Sequence, residues 1–191
     1  MPESNTTIIE ETRSAVQGLL ALITGDRGAS RFYNFTDAGL VTSFIAVLAV
    51  TALELVATAA LGAGHIFTSL VQTALIYAAV LGTSAIYLRQ IGRRDAFVPF
   101  VVTINWANAI LSLVMLVTVL LGLSFLGILF LVIGVVVSIN IARLIMTLRA
   151  MQIVLLIIAQ AVGLIAAVLL LVLIFPLSPE QMAEIAAAAN R

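Results

Sequence analysis

Glu54 is the only acidic side chain inside a long apolar run of this chain. A carboxyl group at such a position costs about 2.5–3.5 kcal/mol even on the lenient insertion scale, so it marks either chemistry or a specific partner. Thr51 and Thr58, at i−3 and i+4, share its face of a helix. Gln72 stands at a comparable depth in the next apolar run. Two readings follow. Glu54 could bind a proton or cation in a transport path, or it could be a protonated hydrogen-bonding group that ties its helix to Gln72 or to a backbone carbonyl. The next polar groups, Asn105, Trp106 and Asn108, cluster early in a later run, and Asn140 lies late in the one after it. Asparagines at matched depths on adjacent helices can bond across the interface, or they can line a polar pocket. Trp106 suits an interfacial aromatic belt.

The rest of the inventory narrows the chemistry. His65 is the single histidine and cysteine is absent, so no histidine-based metal cluster, thiolate ligand or disulfide can be built. The sequence contains no phosphate-binding glycine loop, dinucleotide fingerprint, zincin histidine pair or Gly-x-Ser-x-Gly elbow. The expectation is therefore a non-enzymatic protein with no cofactor and no metal. Formal net charge is zero, which offers nucleic acid no electrostatic footprint.

These groups must be positioned by membrane helices. Hydrophobic residues make up 63% of the chain, charged residues 9%, and mean hydropathy is +1.24. A soluble domain carries roughly 45–50% apolar and about 25% charged residues. Apolar runs predict spans at residues 39–61, 66–88, 97–121, 125–145 and 151–175. The stretch from Phe97 to Ala142 is uncharged. As one helix it would extend roughly 69 Å at about 1.5 Å per residue, over twice the hydrocarbon thickness of about 30 Å. It must therefore double back, at Gly122-Leu123-Ser124 with Gly127 nearby.

Orientation follows from arginine. Arg13, Arg27 and Arg31 precede the first span; Arg89, Arg93 and Arg94 follow the second; Arg143, in the last turn of the fourth and able to snorkel to the interface, and Arg149 mark the fourth span's end. The alternate connections, Gly62-Ala63-Gly64-His65 and Gly122-Leu123-Ser124, carry none. The positive-inside rule then predicts a cytoplasmic amino terminus and an extracytoplasmic carboxyl terminus. Arg27, Arg31, Arg89, Arg93, Arg94, Arg143 and Arg149 could also meet anionic headgroups, although topology alone accounts for them. No cleavable apolar leader is expected in the first 35 residues.

Ahead of the first span, Thr7 to Ile23 reads as an amphipathic helix, with Ile9, Val16, Leu19, Leu20 and Ile23 recurring on one side. Thr7 and Glu10 have capping-box spacing, and Gly25 suits the C-terminal cap. This helix could lie on the inner leaflet or pack on the protein's own spans. Asp26 and Arg27 read as a tight turn. After the last span, Ser178-Pro179-Glu180-Gln181 starts a short Ala-rich helix to Ala189, with Glu180 and Glu184 at its acidic start. Small residues at four-residue spacing, Ala78 with Gly82, Gly134 with Ser138, and Ala159 with Gly163 and Ala167, permit close helix contact.

Two patches carry a family resemblance. Thr24-Gly25-Asp26-Arg27-Gly28 with Arg31-Phe32-Tyr33, and Phe97-Val98-Pro99-Phe100 leading to Asn105-Trp106, resemble bacterial five-span membrane proteins grouped with the Yip (Ypt-interacting protein) family. The resemblance implies five spans, a cytoplasmic amino terminus and, for the bacterial members, an integral membrane protein without a defined activity. Eukaryotic members associate with Rab-type GTPases and with each other. Their Asp-Leu-Tyr-Gly-Pro signature does not occur in this chain, so GTPase binding is not expected to carry over.

The sequence thus predicts an all-α integral membrane protein. It has an amino-terminal cytoplasmic or interfacial segment (1–37), a five-span domain (38–176) and a short extracytoplasmic helix (177–191). Its expected place is the cytoplasmic, or inner, membrane, and the lipid bilayer is its expected partner. A homo-oligomer or a larger membrane complex is left open. The leading functional expectation is a scaffold or accessory subunit acting through helix packing and lipid contact. The alternative is a small proton- or cation-coupled transporter or channel centred on Glu54, with Gln72, Asn105 and Asn108.

Overall fold

Five of the apolar runs form helices long enough to cross a bilayer, and one amphipathic helix precedes them. The computed structural model describes residues 7–60 and 66–176. The expected Gly62 to His65 turn and the expected helix from Ser178 to Ala189 lie outside the described residues. In chain order the helices are α1 (Ile8–Thr24), α2 (Asp37–Ala60), α3 (Ile66–Gln90), α4 (Phe97–Leu120), α5 (Gly127–Asn140) and α6 (Ala150–Ile174). A π-helical turn, Ile141–Ile145, extends α5, and the candidate spans are α2, α3, α4, α5 with this turn, and α6. The chain is therefore an all-α, five-span, multi-pass membrane protein.

The local signals act as their chemistry requires. Thr7 caps α1: the Glu10 backbone N–H donates to Thr7 Oγ1 at 3.4 Å, and the Thr7 N–H donates to Glu10 Oε2 at 3.0 Å. Gly25 closes α1 in the left-handed region (φ 74°), and the Asp26 N–H reaches the Ala21 carbonyl at 2.8 Å. Gly122, at φ 76°, makes the turn between α4 and α5.

Packing is concentrated at the arginine-rich end. The buried apolar core takes Leu19 and Leu22 from α1, Leu88 from the end of α3, Phe100, Val102 and Trp106 from the start of α4, and Ile141 and Met146 after α5. Trp106 is thus a core residue rather than a belt residue, buried in the same core as Leu19 and Leu22 of α1. Some 44% of the most apolar stretch of α4 is buried, against 17% or less in the other spans, so α4 is the central helix. Beyond this core the helices expose large apolar side chains such as Leu53, Val117, Ile128 and Leu169. Lipid is the solvent these faces suit.

Neighbourhood does not follow chain order. The most extensive contacts are α2 with α4 and α3 with α6, whereas α2 and α3 touch sparsely. Helix α1 packs on α4 and α5, burying Ala15, Leu19 and Leu22, and leaves Ile9, Val16 and Leu20 facing outward. It therefore packs on the protein's own spans and still keeps an exposed apolar side.

One small-residue stripe is an internal contact. A Cβ on Gly163 would lie 2.4 Å from Thr83 Cγ2 and 3.3 Å from the Ala79 carbonyl. Thr83 is itself fixed by donating to that carbonyl at 2.7 Å. Gly163→Ala is expected to lower stability by about 1–3 kcal/mol through overpacking. Gly82 and Gly134 have open space where a Cβ would go, so Gly82→Ala should be neutral or gain up to about 1 kcal/mol of helix propensity. Thermal melting of both variants in one detergent checks this, and the reverse order would contradict the close approach of α3 and α6.

Candidate functional site

Polar side chains from three spans meet where α2 and α3 part in front of α4. Thr51 and Glu54 from α2, Thr73 and Tyr77 from α3, and Asn108 and Ser112 from α4 line a cleft of about 270 Å³. Its remaining walls are apolar, with Val47, Val50, Ile76, Val80, Leu81 and Ile104 prominent. Glu54 stands six residues before the end of α2, Thr73 seven residues after the start of α3, and Ser112 eight residues before the end of α4. At about 1.5 Å per residue all three lie roughly 9–12 Å from the helix ends opposite the arginines. Tyr77 and Asn108 sit deeper.

Behind the lining runs a hydrogen-bonded chain. Asn105 and Ser43 are fully buried, at 0% exposure each. The Asn105 Nδ2 group donates to Ser43 Oγ at 3.1 Å, and Ser43 Oγ donates to the Leu40 carbonyl at 2.7 Å. Tyr77 Oη donates to Asn105 Oδ1. Connectivity alone settles these directions. A serine hydroxyl has one proton, and here the Leu40 carbonyl takes it, so Ser43 can only accept from Asn105. The amide nitrogen must then face Ser43, the amide oxygen must face Tyr77, and the phenol must donate. Phe44 meets the Tyr77 ring edge-on at 6.3 Å between centroids and fixes its plane.

The residues predicted from sequence separate into distinct roles. Glu54 and Asn108 line the cleft, and Asn105 supports it from behind. Gln72 is exposed and lies outside the lining; Thr73 takes the place expected of it. Among the described residues Asn140 pairs with no other asparagine: its Nδ2 donates to the Leu22 carbonyl at 2.7 Å, satisfying an acceptor at the end of α1. Arg93 does more than mark topology. Its guanidinium donates to the Met146 carbonyl at 2.8 Å and Thr147 Oγ1 at 3.1 Å while pairing with Asp95 at 3.3 Å. It thus clamps the link after α5, where Thr147 holds a left-handed φ of 51°. Arg31 pairs with Asp26 at 3.5 Å and lies over the Phe32 ring. Arg27, Arg89, Arg94, Arg143 and Arg149 are exposed at the same end. Also at that end, Tyr33 packs its ring against Gly18, and burial pushes its phenol above the ordinary range.

Sequence reasoning missed Tyr77, Ser43, Thr73 and Ser112, and also Gln160, whose Nε2 donates to Ser84 Oγ at 2.9 Å. Each is a polar residue within a span, and a full census of such residues would have raised them. Pairing them needed the order of helices around the bundle. Among the described residues, no three His, Asp or Glu side chains converge as a metal site would require. No family model, no curated protein and no solved structure matches this chain.

Proposed function

We propose that this protein is a small, non-enzymatic membrane transporter or channel in which the cleft around Glu54 holds a proton- or cation-bearing solute. One observation carries the reading: a lone intramembrane carboxyl group shares its cleft with polar side chains from three different spans. A carboxyl group serving only as interhelical glue needs a single partner helix. In this reading the arginine-rich end faces the cytoplasm of a bacterial inner membrane, supported by the charge asymmetry of the connections. The cleft then lies in the outer half. The two patches that resemble the Yip family supply Tyr33, Phe100 and Trp106 to one core, and membership of that family is part of the proposal.

Proteoliposomes test it. The wild-type chain is expected to carry a pH-dependent cation flux that Glu54→Gln abolishes while the variant stays folded. Flux unchanged by the substitution, or absent from both proteins, would remove the transport reading. An accessory subunit acting through helix packing would then be the reading to pursue.

A further inference from the structure

Resting on the cleft as a ligand site, the geometry points to its ligand class: a small organic cation, one ammonium group carried on an apolar body. The argument begins with protons. Tyr77 has given its only one to Asn105, whose orientation is set in turn by Ser43 and the Leu40 carbonyl. Toward the cleft the phenol oxygen can therefore offer only lone pairs. Glu54 adds a carboxyl group, and among the described residues no arginine, histidine or lysine lines the cleft to neutralise it. Thr51, Thr73, Ser112 and Asn108 can each donate or accept, so the bias of the site comes from the Tyr77 oxygen and the Glu54 carboxyl group, which favour a donor or a positive charge. The Tyr77 ring adds a face that attracts cations.

The walls distinguish an organic cation from a bare metal ion. Hard cations such as calcium or magnesium take about six to eight closely arranged oxygens. Here Val50, Ile76, Val80 and Ile104 separate the polar groups with hydrocarbon, which would leave a metal ion short of ligands and would instead cover an alkyl or aryl body. A volume of about 270 Å³ sits just under the roughly 300–1,000 Å³ common for ligand sites, so the body must be small. Pairing with Glu54 offsets the cost of burying the charge.

Binding to the full chain in nanodiscs tests the inference, with benzyltrimethylammonium as probe and neopentylbenzene as its neutral isostere. The wild type is expected to bind the cation saturably and the isostere at least about tenfold more weakly. Glu54→Gln should lose about tenfold for the cation and little for the isostere. Tyr77→Phe, which keeps the ring and removes the oxygen, should lose about threefold for the cation alone. Equal binding of cation and isostere would overturn the inferred charge preference. Sodium ion binding in a Glu54-dependent way, without the organic cation, would overturn the ligand class and leave the Glu54 site standing. Absence of any Glu54-dependent binding would overturn both. Should Glu54→Gln fail to fold, labelling of wild-type Glu54 by a lipophilic carbodiimide decides: saturating probe is expected to slow it about tenfold, and no protection would overturn the inference.

Discussion

Asn105→Ala is expected to lower the stability of the bundle by about 2–4 kcal/mol. The side chain is fully buried and makes two interhelical hydrogen bonds, one to α2 through Ser43 and one to α3 through Tyr77. Stranding a buried polar partner costs about 1–3 kcal/mol, and the vacated volume adds to that. Interhelical hydrogen bonds in membranes are often weaker, averaging about 0.6 kcal/mol, because partners in the bilayer re-pair. Here re-pairing is restricted, since Ser43 already donates to Leu40. Asn108→Ala, one turn further along α4 but exposed to the cleft, should change stability by less than about 1 kcal/mol. Thermal unfolding of both variants in the same detergent provides the check, and an Asn108 variant less stable than the Asn105 variant would refute the assignment of roles.

Glu54→Gln carries the second large effect, with two parts of opposite sign. Glutamine is nearly isosteric with glutamate, so the packing of α2 on α4 is retained. Removing an ionisable group from a span relieves part of the roughly 2.5–3.5 kcal/mol insertion penalty. The variant should therefore melt at or above the wild-type temperature while its flux falls to background. A residue kept for function at a cost in stability behaves this way. A carboxyl group acting as structural glue would show the reverse: a lower melting temperature and flux unchanged from that of the wild type.

Much of the architecture could be read from composition and spacing, because the bilayer leaves few choices. The expected helix at Thr7 to Ile23 forms at Ile8–Thr24, and the uncharged stretch after Phe97 turns at Gly122 as its length required. The third expected span begins at Phe97, and the fourth ends with the π-helical turn at Ile145. The site was only half legible. Glu54 stood out because a carboxyl group in a span is costly wherever its neighbours are. Its partners were misjudged because depth matching assumed that helices adjacent in sequence are adjacent in space. That assumption paired Glu54 with Gln72, and Asn105 and Asn108 with Asn140. The bundle instead seats α2 on α4 and α3 on α6, so Asn105 meets Ser43 and Tyr77, while Asn140 is drawn to the end of α1. Arg93 was read as a topological charge because its carbonyl partners, Met146 and Thr147, lie more than fifty residues away.

The most direct test is thiol accessibility at the cleft. The chain has no cysteine, so Ser112→Cys and Val135→Cys each place a single thiol without any background to remove. Both positions stand eight residues from the helix ends opposite the arginines, one in the cleft and the other on an exposed face of α5. A membrane-impermeant cationic methanethiosulfonate applied from outside the cell is expected to modify Ser112→Cys and to leave Val135→Cys intact. Equal inertness of the two thiols, or modification of Ser112→Cys only from the cytoplasmic side, would contradict a hydrated, outward-facing cleft around Glu54.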